Sequence, residues 1–229
     1  MKRINYSVLA FTLAETLITL VIIGVIAAIT VPTLITKYQK EQTVTRLKKV
    51  YSSFAQTTVR AVADNGPIKT WEKGNSARFA NNYLIPYLSI SKNCGTNNSG
   101  PCNFNKFYLN DEPDNTMVDK PKFILNDGTL VGISYNKSDI AQKVKILVDI
   151  NGPKKPNKNG KDVFGFFYYL QDDETPDIVG KFVPDGGWRS FDELLNDSDD
   201  YACKKGKKGT HCMALIMKQG WQITDDYPW

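Results

Sequence analysis

The 229-residue sequence predicts an α+β protein in which one long N-terminal helix packs on a small antiparallel β-sheet. Two observations support this prediction. An apolar segment near the N-terminus runs on into an amphipathic helical pattern, and strand-like segments separated by turn signals follow later in the chain. The composition, 41% hydrophobic and 23% charged, is that of a globular protein. The chain is long enough for one domain of ordinary size and an appendage.

The apolar segment has the length of a membrane-spanning helix. Residues 16–36 contain no charged side chain, and about 20 such residues cross the hydrocarbon core of a bilayer. Lys2 and Arg3 precede the segment, so we expect a single-pass inner-membrane protein with a cytoplasmic N-terminus and an exported C-terminal domain. A cleaved signal peptide and a plain anchor are alternatives. Neither explains Glu15, because a carboxylate at the edge of an apolar helix is costly.

Beyond Pro32 the pattern becomes that of an amphipathic helix. Apolar or weakly polar residues recur at spacings of three and four, namely Val44, Leu47, Tyr51, Phe54, Thr58 and Val62. The Asn-Gly-Pro sequence at residues 65–67 predicts where the helix ends. We therefore expect one helix from about residue 11 to about residue 64. Its second half, residues 37–65, should pack on a domain formed by residues 66–229.

Strand signals are concentrated in the middle of that domain. Residues 122–134 predict a β-hairpin with Asp-Gly at its turn, and residues 143–149 and 163–170 predict two further strands. Residues 66–121 are rich in Asn, Gly, Pro and Ser, and we expect them to form a connecting region with short helical segments. These segments together predict an antiparallel sheet that packs against the amphipathic half of the helix.

The segment between the last two predicted strands contains candidate calcium ligands. Asp149, Asn151 and Asp162 supply the oxygen donors that calcium prefers. However, Pro153 and Gly160 occupy positions where an EF-hand needs ligands. The favoured interpretation is a hairpin loop whose Asp and Asn side chains bond local backbone amides. We assign no metal and no cofactor from the sequence.

Four cysteines allow three connectivities. Cys94 and Cys102 are close in sequence, as are Cys203 and Cys212, so local bridges cost the least entropy to close. Disulfides persist on the exported side of a membrane, and the spacings are wrong for a zinc site. Free buried thiols remain an alternative. We expect two local disulfides.

Composition and motifs argue against an enzyme. The chain has a single histidine, His211, and contains no dinucleotide, P-loop or nucleophile-elbow motif. We assign no catalytic residue. Basic and acidic side chains nearly balance over residues 61–229, which argues against nucleic-acid binding. The lysine-rich run at residues 204–208 is interpreted as a solvated loop, with binding of a polyanion as the alternative.

Residues 10–28, AFTLAETLITLVIIGVIAA, resemble the cleavage and methylation segment of type IV prepilins and type II secretion pseudopilins. A short basic leader, residues 1–10, precedes Phe11, and Glu15 follows Phe11 by four positions. An unbroken apolar helix, residues 11–36, comes next, with Pro32 at a spacing that many pilins share. Ala10 departs from the family, which usually has glycine before the cut.

The resemblance implies processing and assembly. A prepilin peptidase would cut between Ala10 and Phe11 and methylate the new amino group of Phe11. Glu15 would pair with the Phe11 ammonium of a neighbouring subunit, which removes two costly unpaired charges from the apolar bundle. The helical segment between Gly24 and Pro32 would be able to lose its helical structure when the filament forms. Gly24 also forms a small-x-x-x-small pair with Ala28, which permits close approach of helices.

The function expected from this resemblance is that of a pilin-like structural subunit in a type IV pilus or type II secretion pseudopilus. Its partners would be the peptidase, other subunits, the inner-membrane assembly machinery and the membrane itself. A minor pilin is the alternative, acting as a binding module in DNA uptake, adhesion or contact with a secreted protein. A membrane-anchored enzyme is less expected.

Overall fold

A computed structural model describes residues 12–137, 141–196 and 198–229 of the chain. The described residues form two compact units, one up to Gln42 and the other Thr43–Trp229. The first helix, α1, spans Leu13–Asn65 and ends where the Asn-Gly-Pro sequence predicts. An antiparallel sheet packs against the later part of this helix, which confirms the α+β class.

Within the second unit, α1 buries one face against the domain. The buried residues are Thr43, Val44, Leu47, Val50, Phe54, Thr57 and Ala61. The predicted spacing of three and four holds, but Tyr51, Thr58 and Val62, which were predicted for this stripe, lie at its half-buried edge. Val50, Thr57 and Ala61 are buried instead, each one position earlier, because the face that meets the sheet decides burial and the periodicity leaves it uncertain by a residue.

The described part of the chain forms a six-stranded antiparallel sheet and a separate two-stranded ribbon. The strands are β1 (Ile90–Gly95), β2 (Lys106–Phe107), β3 (Pro113–Asp114), β4 (Lys122–Leu125), β5 (Leu130–Lys137), β6 (Ala141–Asp149), β7 (Val163–Asp172) and β8 (Phe182–Pro184). The main sheet has the order β1-β4-β5-β6-β7-β8, and β2 pairs with β3 in the ribbon. The predicted hairpin is β4–β5, and the other two predicted strands are β6 and β7.

Both edges of the sheet come from segments that were not predicted as strands. β1 lies in the region expected to be a connection, and most of its side chains are exposed. β8 is three residues long and half-buried throughout. Neither segment shows the alternation or apolar run by which a strand is detected in sequence, because an edge strand is held mainly by backbone hydrogen bonds.

Apolar side chains cover both faces of the sheet. Val144 and Ile146 of β6 join the core that includes α1. Leu147, on the opposite face of β6, joins a smaller cluster with Phe104 and Met117. Burial on both faces explains why β7 is buried from Val163 to Leu170 and shows an almost continuous apolar run.

The remaining elements are short helices and turns. They are α2 (Ser76–Phe79), α3 (Phe191–Leu194) and α4 (Cys212–Lys218), with a π-helical turn over Ala80–Leu84. The Asn75 side chain begins α2 by accepting a hydrogen bond of 3.0 Å from the backbone N–H of Arg78. The region of residues 66–121 is therefore more ordered than a plain connection.

Candidate functional site

The N-terminal half of α1, residues 13–42, presents an exposed apolar surface. The side chains of Leu13, Ile29 and Leu34 are 81%, 69% and 64% exposed. By length and composition, this helix can cross a membrane. Exposure of so many large apolar side chains to water is unfavourable, so an apolar environment suits this surface better than water does.

Threonine hydroxyls in the same segment bond to the helix itself. Each donates to a carbonyl oxygen three or four residues earlier: Thr16 to Leu13 (2.9 Å), Thr19 to Thr16 (2.9 Å), Thr30 to Ile26 (2.9 Å), Thr33 to Ile29 (3.3 Å) and Thr36 to Pro32 (3.0 Å). Lipid offers no hydrogen-bond partners, so this pattern lets polar residues lie in an apolar environment at low cost.

Glu15 and Thr12 form a capping box at the start of α1. The Glu15 carboxylate accepts hydrogen bonds from the Thr12 backbone N–H at 2.8 Å and from the Thr12 hydroxyl at 2.9 Å. The Glu15 backbone N–H donates to the Thr12 hydroxyl oxygen at 3.3 Å. These reciprocal contacts satisfy backbone donors that the first turn of a helix leaves unpaired.

The capping box is a role for Glu15 that the sequence analysis missed, although its Thr-x-x-Glu signature is present at residues 12–15. Ala10 and Phe11 lie outside the described residues, so the pairing of Glu15 with Phe11 stays a prediction. Gly24 has open space where a Cβ atom would lie, so packing within the chain does not require glycine there. Pro32 lies inside the helix, which continues past it.

Both predicted disulfides are present. Cys94–Cys102 joins β1 to a short turn, with Cα atoms 5.9 Å apart. Cys203–Cys212 closes a second loop, residues 203–212, onto the first residue of α4, with Cα atoms 4.6 Å apart. No cysteine in the described ranges is free. The local pairing that loop entropy favours is therefore confirmed.

The second disulfide loop meets two other loops and the end of the chain. The Lys208 carbonyl oxygen accepts hydrogen bonds from the Leu109 backbone N–H at 3.0 Å and from the Asn159 side chain at 3.4 Å. The Tyr227 hydroxyl donates to the Gly160 carbonyl oxygen. A Cβ atom at Gly160 would lie 2.7 Å from the Cys212 sulfur, so these segments pack in direct contact.

The β6–β7 loop, residues 150–162, is organised by a buried carboxylate. Asp162 accepts hydrogen bonds from the backbone N–H groups of Asn157 (2.8 Å) and Lys158 (2.6 Å) and from the Asn151 side chain (3.1 Å). Asp149 accepts from the Asn151 backbone N–H at 3.2 Å. The loop thus has the local Asp and Asn contacts expected for a hairpin loop.

Burial sets the protonation of these two aspartates. Burial, with a further contribution from the nearby Asp162, raises the pKa of Asp149 to about 9. Burial also raises the pKa of Asp162, although its three hydrogen-bond donors oppose this shift. Asp162 is therefore the member of the pair better suited to carry the charge. Within residues 12–137, 141–196 and 198–229, no group of three or more His, Cys, Asp or Glu side chains could hold a metal ion.

The single histidine is buried in a network of charged groups. His211 Nδ1 lies 3.4 Å from the Asp199 carboxylate, and Nε2 lies 3.6 Å from the Asp185 carboxylate. Arg189 pairs with Asp199 at 2.8 Å, and Lys145 pairs with Asp185 at 3.4 Å. Burial lowers the pKa of His211 despite both carboxylates. Each carboxylate also has a cationic partner, so His211 is one of five ionisable groups in this network.

Comparison with known proteins identifies a family for most of the chain. No curated protein matches the sequence, and no solved structure matches it. A family model described as a family of unknown function, DUF6613, matches residues 33–229. The match includes the amphipathic half of α1, the whole sheet and both disulfides, and it begins after most of the apolar half of the helix. The chain therefore belongs to the DUF6613 family.

Proposed function

We propose that this protein is a structural subunit of a type IV pilus or type II secretion pseudopilus. In this proposal a prepilin peptidase removes residues 1–10, and the protein then polymerises through the apolar half of α1. Before assembly that segment lies in the inner membrane, and residues 43–229 form the exported domain. The two disulfides agree with export, because such bonds persist in oxidising compartments.

The observation that carries the proposal is the apolar, exposed surface of α1 over residues 13–42. Its large side chains need apolar neighbours, and its threonine hydroxyls are already satisfied within the helix. Both lipid and a bundle of sister helices meet these requirements. A helix that must move from membrane to filament needs a surface compatible with both.

Glu15 provides the sharpest test, because it has two candidate roles that two variants can separate. Glu15→Gln removes the charge but keeps a side-chain oxygen that can accept from Thr12, since Gln also serves in a capping box. Thr12→Ala keeps the Glu15 charge but removes the hydroxyl that caps the helix. Loss of a cap costs about 1 kcal/mol. An unpaired ammonium left in an apolar bundle costs about 3–5 kcal/mol.

The measurement is the yield of sheared filaments, compared with the membrane level and the N-terminal sequence of each variant. We expect Glu15→Gln to be inserted and cleaved normally but to form no filaments, whereas Thr12→Ala still forms them. Normal filaments from Glu15→Gln together with poor filaments from Thr12→Ala would assign Glu15 to capping alone. A membrane-anchored enzyme would show no link between this charge and assembly.

A further inference from the structure

A cavity of about 370 Å³ lies where the second disulfide loop, the β6–β7 loop and the segment around Leu109 meet the last residues of the chain. Three lysines line this basic cavity, together with three apolar residues: Lys158, Lys161, Lys205, Leu109, Pro228 and Trp229. The volume is at the small end of the range for pockets that bind small molecules. All of the residues that line this cavity belong to the second unit, Thr43–Trp229.

Positive charge is concentrated around the basic cavity. Lys158 forms an ion pair with Asp111, an acidic residue that also lines the cavity. Lys161 and Lys205 form no ion pair with any residue that the structure describes. Five further lysines lie on the same two loops: Lys154, Lys155, Lys204, Lys207 and Lys208. Charge over residues 61–229 is nearly balanced only when these lysines are included, so they form a local anion-attracting surface on a nearly neutral domain.

The walls of the basic cavity are held in place before any ligand arrives. The Cys203–Cys212 disulfide closes one loop. The Tyr227 hydroxyl donates a hydrogen bond to the Gly160 carbonyl oxygen, which holds the last residues of the chain against the β6–β7 loop. Lys208 lies over the rings of Tyr108 and Tyr201, 5.6 Å and 5.1 Å from their centroids. A preformed site loses little conformational entropy on binding, which favours recognition of a small ligand.

We propose that the basic cavity binds a unit of an acidic polysaccharide, that is, a sugar ring that carries a carboxylate. Lys161 and Lys205 supply ammonium groups for the carboxylate, and Trp229 supplies an aromatic wall for the apolar face of the ring. Asn110 and Gly206 line the same cavity and offer polar groups to the sugar hydroxyls. A sugar unit thus matches the charged, aromatic and polar parts of the wall together.

A nucleic acid fits these observations less well. Binding of single strands relies on several aromatic side chains on which successive bases stack. The aromatic side chain that lines this cavity is Trp229, while Tyr108 and Tyr201 are engaged by Lys208. A half-open cavity with one aromatic side chain beside lysine ammonium groups is better matched to one charged sugar than to a run of bases.

Isothermal titration of the full chain in detergent with trigalacturonate tests the proposal. The controls are a neutral galactose trisaccharide and a thymidine oligonucleotide. We expect Lys161→Gln/Lys205→Gln to bind trigalacturonate about tenfold more weakly than the wild type. Lys69→Gln/Lys92→Gln removes two exposed lysines outside the cavity and should leave binding within about twofold. Trp229→Leu should weaken binding of trigalacturonate but not binding of inorganic phosphate, with thermal melting as the check on folding.

Three results would overturn the proposal. One is the absence of trigalacturonate binding by the wild type. Another is equal loss of affinity in both double-lysine variants, which would show that net charge and not the cavity matters. The third is oligonucleotide binding as tight as trigalacturonate binding and equally sensitive to the Lys161 and Lys205 substitutions, which would show that the cavity selects a polyanion by charge alone. None of these results bears on filament assembly, which the Glu15 and Thr12 variants test separately.

Discussion

The hydroxyl oxygens of Thr58 in α1 and Tyr168 in β7 lie 2.7 Å apart and join the amphipathic half of the helix to the sheet. The Thr58 hydroxyl also donates to the Phe54 carbonyl oxygen at 2.7 Å. A hydroxyl has one hydrogen, so Tyr168 is the donor to Thr58. Tyr168 is fully buried, and this burial raises the pKa of its phenol above the ordinary value.

This direction of donation predicts unequal effects of two substitutions. Tyr168→Phe removes the donor but leaves Thr58 bonded to Phe54, so it should lower the free energy of unfolding by about 1 kcal/mol. Thr58→Val leaves a buried tyrosine hydroxyl without its acceptor and should cost more, up to about 3 kcal/mol. Denaturant unfolding with the disulfides intact measures both. A larger loss for Tyr168→Phe would reverse the assignment of donor and acceptor.

Gly160 should tolerate alanine far less well than Gly180. Both have positive φ, +77° and +79°, where a side chain costs about 1–2 kcal/mol. A Cβ atom at Gly160 would also lie 2.7 Å from the Cys212 sulfur, whereas the space at Gly180 is open. We expect overpacking to lower the free energy of unfolding of Gly160→Ala by roughly 1–3 kcal/mol beyond the cost of backbone strain.

Thermal melting of the two glycine variants, with alkylation of free thiols, checks this prediction. Gly160→Ala should melt at a lower temperature and show incomplete formation of the Cys203–Cys212 bond, because the sulfur must move. Gly180→Ala serves as the control for backbone strain alone. Equal melting temperatures would mean that the β6–β7 loop does not pack on α4 as described.

Asp149 should make the domain less stable as pH rises. Burial, together with Asp162, raises the pKa of Asp149 from the ordinary 3.8 to about 9. The folded protein therefore keeps a proton between these values that the unfolded chain has released. This contribution to stability is complete below about pH 4 and is lost as pH rises through the folded-state pKa.

Asp149→Asn isolates this effect, because asparagine keeps an oxygen that can accept from the Asn151 backbone N–H and does not titrate. The free energy of unfolding of wild type and variant should be measured at about pH 5, 7 and 9. We expect the advantage of the variant over the wild type to grow with pH. The comparison removes the contribution of His211, whose pKa burial lowers in both proteins. A difference that does not vary with pH would contradict the raised pKa.

Processing of the N-terminus is a separate prediction. If the resemblance to prepilins holds, the mature chain begins at Phe11 and carries a methylated amino group. Mass spectrometry of the protein from the membrane fraction decides this. A mature chain beginning at Ala28 would instead indicate conventional signal-peptide cleavage and would remove the basis for the assembly proposal.

The local features of this protein could be predicted from its sequence. The apolar helix, its end near Asn65, the Asp-Gly hairpin and the strands β6 and β7 follow from periodicity and turn residues, which act over a few positions. The two disulfides follow from closeness along the chain, since short loops cost little entropy to close. The capping box of Thr12 and Glu15 is equally local, and the Thr-x-x-Glu signature at residues 12–15 is enough to predict it.

The tertiary structure alone decided which distant segments meet. The edge strands β1 and β8 have no distinctive pattern, because pairing with a neighbour creates them. The basic cavity joins residues about a hundred positions apart, such as Leu109 and Lys205, and no spacing in the sequence predicts that contact. The hydroxyl pair of Thr58 and Tyr168 arises in the same way. Sequence patterns report the local preferences of a chain, whereas sites of this kind depend on long-range packing, which becomes visible only when the chain is folded.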